Sequence, residues 1–259
     1  DSLGAAREIE PGLSDVVLGA LHCPLDGVAD HTATTKGYAA RAAQAGAVLR
    51  EEAEVTRVEV TGGRATGVLL VSGERIEVGG DLLLLNNAGV LDLVAATFDR
   101  ALPVWSIFPQ AMRTEPADTP PFRSLLGHEH RRLALKMLED GSVMLSGGWR
   151  GRANPETGQG ETFPEAVARN YAEAVRVFPA IDGLKVVEAR ADRVETSCTD
   201  GSPIIDRLPE APNVLIGCGW TGHGWAIAPA VAPLLAEWVR TGSTPELLRP
   251  FALSRFPDG

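Results

Sequence analysis

The 259 residues carry 24 lysines and arginines against 34 aspartates and glutamates, a net charge of −10. With no basic run, that balance argues against a nucleic-acid partner. Hydrophobic residues make up 44% and charged residues 22%, the balance of a globular chain that buries roughly three quarters of its apolar surface, as one large domain or two small ones. The longest apolar run, 82–85, is far too short to span a membrane. Cys23, Cys198 and Cys218 are too scattered for a disulfide framework or a metal pattern, and a reducing cytoplasm is the expected compartment.

Along the chain, residues 31–49 are expected to form a helix, capped by Thr32 or Thr34, with a small-residue face of Ala39, Ala42, Ala43 and Ala47 and a stop at Ala45-Gly46. Residues 55–60, 66–71 and 75–78 predict a three-strand meander, separated by Thr61-Gly62-Gly63 and Ser72-Gly73. The run 81–85 reads as a fully buried strand ending in Asn86-Asn87-Ala88-Gly89. Short strands follow at 104–108, 111–114, 132–137 and 142–145, the last two joined by Glu139-Asp140-Gly141. Residues 154–160 read as a loop, and 162–178 as a helix capped by Thr162 with Pro164 and Glu165 in its first turn.

The most informative stretch comes late. An apolar strand, Asn213-Val-Leu-Ile216, runs into Gly217-Cys-Gly-Trp-Thr-Gly-His-Gly-Trp225, and a helix opens behind it. Glycines admit close approach of backbone to a flat ligand, and a helix start offers unpaired N–H groups with partial positive charge. That suits an anion or an electron-rich carbonyl edge; a tight turn without a ligand has the same signature. Gly217-x-Gly219-x-x-Gly222 also fits the dinucleotide fingerprint, with Glu237 near the acidic offset, but the fingerprint needs a further parallel strand. Thr241-Gly-Ser-Thr-Pro245 and Arg249-Pro-Phe251 are turns and a tail, so that reading fails. Pro229 and Pro233 lack an N–H and suit only a first turn; the helix is expected to begin near Pro229 or to kink at Pro233.

Gly219-Trp-Thr-Gly-His-Gly-Trp225, Ala228-Pro-Ala-Val231, Thr241-Gly242 and Pro250-Phe-Ala-Leu-Ser-Arg-Phe256 resemble the C-terminal end of the FAD-dependent D-amino-acid oxidase superfamily. That group includes glycine, sarcosine and proline oxidases and dehydrogenases. Thr199-Asp-Gly-Ser-Pro-Ile-Ile-Asp206 resembles the loop before that end. Asp26-Gly-Val-Ala-Asp30, Ala45-Gly-Ala47, Glu54-Val-Thr-Arg-Val58 and Asn86-Asn-Ala-Gly89 follow the family's order, so the resemblance covers nearly the whole chain. The family's N-terminal βαβ with its Gly-rich phosphate turn has no counterpart, and the sequence opens at Asp1 without Met. The resemblance therefore implies a cleaved or split enzyme, a heteromer whose second chain carries that βαβ; a truncated chain is the alternative. The implied fold is α/β: an incomplete FAD-binding domain at 1–95 and 186–259, with an inserted mixed β-sheet substrate-binding domain at 96–185, completed by the partner chain.

The resemblance implies non-covalent FAD and oxidation of the C–N bond of an amine or amino acid by hydride transfer to flavin N5. Val55, Thr56, Ala88 and Gly89 sit where the family meets the adenosine and pyrophosphate half of FAD, or are ordinary strand ends; the role of Asn87 is open. Gly219, Trp220, Thr221, Gly222, His223 and Gly224 are the implied flavin contacts. The family's carboxylate-binding arginine, upstream of the Asp-Gly-x-Pro loop, falls near Glu195 here, with Arg193 and Arg190 displaced. Glu195 suits a cationic substrate group, or pairs with one of those arginines, or is one of the surface charges on an alternating strand. Trp149 and Trp220 are expected to face substrate. His223, Glu195, Arg193 and Trp149 thus form the candidate catalytic set, and no metal is expected. Lys136, His128 and His130 read as loop or surface positions. Two competing readings are an FAD-dependent 2-hydroxy-acid oxidoreductase, which favours Arg and His in its pocket, and a non-catalytic flavoprotein remnant.

Overall fold

The computed structural model describes residues 2–257. They form two compact units, one made of the residues up to Leu49 with Phe108–Arg193, the other of Arg50–Ile107 with the residues from Val194 onward. The divisions thus fall at 49/50, 107/108 and 193/194 instead of the expected 95/96 and 185/186, and the first 49 residues group with the inserted sheet.

In chain order, helix α1 (Leu3–Ile9) is capped by Ser2, whose Oγ accepts from the Ala5 N–H. An irregular stretch follows in which Leu18, Leu21 and Leu25 are almost fully exposed. Helix α2 (His31–Gln44) starts at Asp30, not at either threonine, because the Asp30 carboxylate accepts from the Thr32 and Ala33 N–H groups. It ends before Gly46, whose φ of 95° breaks it. No residue of α2 is buried, so the expected alanine face covers no core.

The expected meander forms from β1 (Val55–Thr61), β2 (Arg64–Leu70) and β3 (Arg75–Glu77), antiparallel throughout. Strand β4 (Leu82–Leu84) is shorter than the apolar run, and only Leu84 is buried, with Leu85 44% exposed. It lies at a sheet edge, which corrects the fully buried reading. Helix α3 (Gly89–Phe98) and strand β5 (Val104–Ile107) complete this segment.

The other unit holds β6 (Ala111–Pro116), β7 (Leu126–Gly127), β8 (Ala134–Met137) and β9 (Ser142–Ser146). A hairpin follows, β10 (Arg152–Ala153) and β11 (Gly160–Glu161), its loop organised by the Asn154 side chain, whose Oδ1 accepts from the Glu156 and Thr157 N–H groups. Helix α4 (Pro164–Val177) has Phe163 at its cap without a side-chain hydrogen bond, so Thr162 does not cap it; Pro164 and Glu165 take the first turn as expected. Strand β12 (Val186–Arg190) joins the sheet in the order β12-β6-β9-β8-β7. Every pair in it is antiparallel, not mixed; β7, β8 and β9 follow one another through short reversals, while β12 and β6 pair across a long stretch of chain. Met112, Leu135, Val143 and Leu145 from the sheet meet Ala174, Val177 and Phe178 in one core.

The remaining strands return to the other unit. Strand β13 (Glu195–Cys198) pairs with β5, and β14 (Ile204–Leu208) forms a hairpin with β15 (Ala211–Cys218). Strand β15 also pairs with β4, in parallel. Helix α5 (Gly224–Thr241) begins at Gly224 and continues through both Pro229 and Pro233, which corrects the expected start near Pro229. The buried Asn213 side chain accepts from Ala65 N–H at 2.8 Å and donates to the Ala65 and Gly80 carbonyls, tying the meander to this sheet.

Candidate functional site

Two parallel strands set the geometry. In β4 and β15, Val214 faces Leu82, Leu215 faces Leu83 and Ile216 faces Leu84. Each strand then turns directly into a helix, β4 into α3 and β15 into α5. The two helix N-termini consequently emerge at the same edge of the sheet, where ligands of α/β sheets bind. Both starts bring the positive end of a helix dipole to that edge.

The start of α5 also offers donors. The Ala226 and Ile227 N–H groups fold back onto the His223 carbonyl at 3.1 and 3.3 Å. Among the described residues, the N–H groups of Gly222, Gly224 and Trp225 have no hydrogen-bond partner. They are the orphan donors of a helix start, in a turn whose Gly222 and His223 are exposed. The start of α3 is self-satisfied by comparison: Gly89, Val90 and Leu91 donate to Asn86, Asn87 and Ala88.

A buried hydrogen-bond chain holds the two turns together, and it answers the open question about Asn87. The fully buried Thr196 on β13 donates its hydroxyl to Asn87 Oδ1 at 2.6 Å and accepts from the Gly219 N–H at 2.9 Å. The Thr196 carbonyl accepts from the Thr221 N–H at 2.8 Å. Thr221 Oγ1 in turn donates to the Gly219 carbonyl and accepts from the Cys198 N–H. Asn87 and Thr221 have φ of 52° and 53°. For a β-branched threonine this is a strained, sparsely populated conformation, held because the surrounding bonds over-determine it.

Trp220 supports the same turn from below. A Cβ on Gly224 would lie 2.9 Å from Trp220 Cβ, and one on Gly217 would lie 2.9 Å from its ring. The indole packs against the cluster of Ile205, Leu215, Val231 and Leu235. It is a half-buried prop under α5, not a free wall.

The other candidates are distributed as follows. Ala88 is the cap of α3 and Gly89 its first residue, so both lie at the strand-end edge with residues 219–224. Val55 and Thr56 open the meander; Val55 packs on the core and the Thr56 hydroxyl donates to the Leu69 carbonyl. His223 is exposed at the cap of α5. Glu195 is half-buried and its Oε1 accepts from the Thr196 N–H at 2.7 Å. Among the described residues it forms no arginine pair; Arg190 pairs with Asp192 at 2.7 Å and with Glu188 at 3.4 Å instead. Arg193 is exposed and, among the described residues, unpaired. Trp149 belongs to the other unit, its indole N–H donating to the Arg132 carbonyl at 2.8 Å. Lys136 lies on β8, while His128 and His130 sit in the loop before it.

Sequence reasoning passed over Thr196 and Arg255. The Arg255 guanidinium pairs with Asp200 at 2.8 Å and donates to the carbonyls of Ser202, Phe251 and Ala252. Asp206 accepts from the Leu253 N–H at 2.8 Å. The Asp-Gly-Ser-Pro loop and the C-terminal Pro250–Phe256 motif are therefore one lock, whose signal was the co-occurrence of the two motifs. Cys198 and Cys218 are buried, and burial pushes the Cys218 thiol up to about 12. Among the described residues no group of His, Cys, Asp and Glu is placed to hold a metal, and no helix is long and apolar enough to cross a membrane.

Comparison with known proteins places this geometry. The sarcosine oxidase subunit beta of Rhodobacter capsulatus is 30% identical over 243 residues, 94% of this chain and 56% of that protein. The corresponding subunit of an Arthrobacter species is 26% identical, over 94% of this chain and 58% of its own length. This chain thus spans just over half the length of the curated relatives it matches. L-proline dehydrogenase from P. horikoshii superposes with a TM-score of 0.87 at 25% identity, over 100% of this chain and 68% of that one. Glycine oxidase from Geobacillus kaustophilus shares the fold with a TM-score of 0.82 at 21% identity, over 98% of this chain and 66% of that one. The model of the FAD dependent oxidoreductase (DAO) family matches residues 2–238. Parallel strands ending in helix starts, the glycine turn and these matches agree: the chain belongs to the DAO family of FAD-dependent oxidoreductases.

Proposed function

We propose that this chain is the larger part of an enzyme that oxidises the C–N bond of an amine or amino acid with non-covalent FAD. The observation that carries it is the strand-end edge, where the free N–H groups of Gly222, Gly224 and Trp225 meet two helix starts. The donor set fits a flavin: donors without acceptors, and a backbone open at Gly222 for a flat ring. In this reading Gly219–Gly224 hold the pyrimidine edge and Ala88-Gly89 the region towards the pyrophosphate, with Val55 and Thr56 nearest the adenosine. His223 would contact the flavin, and Glu195, Arg193 and Trp149 would orient substrate. When bound, the cofactor would supply a hydride acceptor at N5 for the carbon next to nitrogen, with an imine as the product that hydrolyses. The helix-start N–H groups would stabilise negative charge on the ring, as preorganised donors do. With Cys198 and Cys218 buried and the latter held protonated, neither is a nucleophile for attachment.

The unit containing residues 50–107 and 194–257 is the cofactor unit, and the five-stranded sheet belongs to the substrate unit. The subunit names of the sarcosine oxidase relatives support a heteromer. The test is to purify the protein with the subunits that accompany it and record its visible spectrum. Anaerobic bleaching of flavin absorption by sarcosine, proline or glycine supports the reading. A colourless complex sinks it.

A further inference from the structure

We propose that the Asn87 side chain is a positioning residue for the 219–224 turn: acting through Thr196, it fixes the free N–H groups of residues 222–225 and so raises the reduction potential of a bound flavin. The redox half rests on the functional reading above; the link between Asn87 and the turn does not.

Two tasks meet at Asn87 and are separable. Its backbone, at φ 52°, carries β4 into α3, a left-handed conformation that asparagine and glycine tolerate. Its amide does something else. Nδ2 donates to the Val194 carbonyl at 3.3 Å, and Oδ1 accepts from the Thr196 hydroxyl at 2.6 Å. The start of β13 is therefore gripped at two points. That strand is four residues long and lies in a two-stranded sheet with β5, where two short strands hold each other weakly. The amide supplies restraint that the ladder does not.

The turn hangs from the same strand. Gly219 N–H donates to Thr196 Oγ1 at 2.9 Å, Thr221 N–H to the Thr196 carbonyl at 2.8 Å, and Cys198 N–H to Thr221 Oγ1 at 3.3 Å. Ser197 and Trp220 form an antiparallel bridge between them. Thr221, strained at φ 53°, keeps that conformation because β13 stays in place.

The polarity is also set. A threonine hydroxyl has one proton; given to Asn87 Oδ1, it leaves a lone pair for Gly219 N–H. The bonds run one way, from Gly219 through Thr196 and Asn87 to Val194, each polarising the next. Without the amide the hydroxyl loses its fixed acceptor, Thr221 relaxes, and the N–H groups beyond it lose their aim. Preorganised donors favour the more negative, reduced ring over the oxidised one, so loosening them lowers the potential.

Asn87→Gly separates the two tasks, since glycine keeps the left-handed backbone and removes only the amide. Hydrogen exchange in the purified protein is expected to accelerate about tenfold or more at the Gly219 and Thr221 amides, with the β1–β2 hairpin unchanged. No acceleration at those two amides, or an equal one across the hairpin, overturns the link. At saturating FAD, Asn87→Gly is expected to lower the two-electron midpoint potential by about 30 mV, a tenfold loss of preference for the reduced form. Thr196→Val should do the same, and the double variant no more than either alone. An unchanged potential beside faster exchange overturns the redox role, and additive shifts overturn the route through Thr196. Should the protein with its accompanying subunits bind no flavin, the functional reading fails and the redox role with it, while hydrogen exchange still decides the link.

Discussion

Thr196 shows how little of a site a single residue type announces. Its hydroxyl bridges Asn87, 109 positions away, to the Gly219 N–H, 23 positions away. Nothing in the local sequence marks a buried threonine for that task, whereas the glycines around it were legible because their turn has a fixed spacing. Thr196→Val keeps the shape but strands the half-buried Asn87 amide oxygen and the buried Gly219 N–H. It is expected to cost about 1–3 kcal/mol and to weaken flavin retention, read by thermal melting and by the flavin-to-protein absorbance ratio; Thr196→Ser should restore both. Of the readings open to Glu195, a cationic substrate group, an arginine pair or a surface charge, the arginine pair does not form among the described residues; its carboxylate bonds the adjacent backbone. At the same scale, the three thiols should separate by reagent. Cys23 is exposed, while Cys198 and Cys218 are buried with raised thiol pKa values, so a thiol reagent is expected to modify one cysteine in the native chain and three in denaturant. More than one fast-reacting thiol in the native state contradicts the packing.

Among elements, periodic patterns were read well and ends poorly. The meander followed from alternation and glycine turns, and α4 from its Pro164 start. Helix α3 went unread, although Val90, Leu93 and Val94, the residues it buries, have the i, i+3, i+4 spacing of one helical face. The Asn-Asn-Ala-Gly run before it was taken as a strand end with candidate cofactor contacts at Ala88 and Gly89, and not as a helix start. Helix α5 was misplaced because proline was taken to mark a first turn; the helix runs through both prolines, with Val231, Leu235 and Trp238 buried on one side. Tertiary packing overrode the local preference. Pro233 removes one backbone bond from the interior of that helix and crowds the preceding turn. Pro233→Ala is expected to raise stability by about 1–3 kcal/mol, measured as an increase in urea midpoint with an unchanged slope. A lower midpoint means that the ring itself makes contacts the helix needs.

At the scale of the whole molecule, composition and length allowed two units, but the boundaries lay where contacts change, which sequence order does not record; residues up to Leu49 group with the unit whose sheet begins at 111, and Ala6, Leu13 and Val17 enter its core. The Asp200–Arg255 lock joins distant segments and gives the fold an acid-sensitive element. Arg255 holds the Asp200 carboxyl well below the usual carboxylate range. Its contribution is present in full above the unfolded value, about pH 4, and is lost as pH falls further towards the folded value. The urea midpoint is expected to fall between about pH 4 and pH 2, and to fall less in Asp200→Asn; equal slopes in the two proteins remove the lock from the account. Strand β4 carries a last consequence. It ends its sheet, with Leu85 44% exposed just beyond it, and an uncovered strand is a template on which another copy can add. Colloidal behaviour is therefore tied to this edge: the protein should scatter more light as its concentration rises, and a charged Leu85→Lys should blunt that growth.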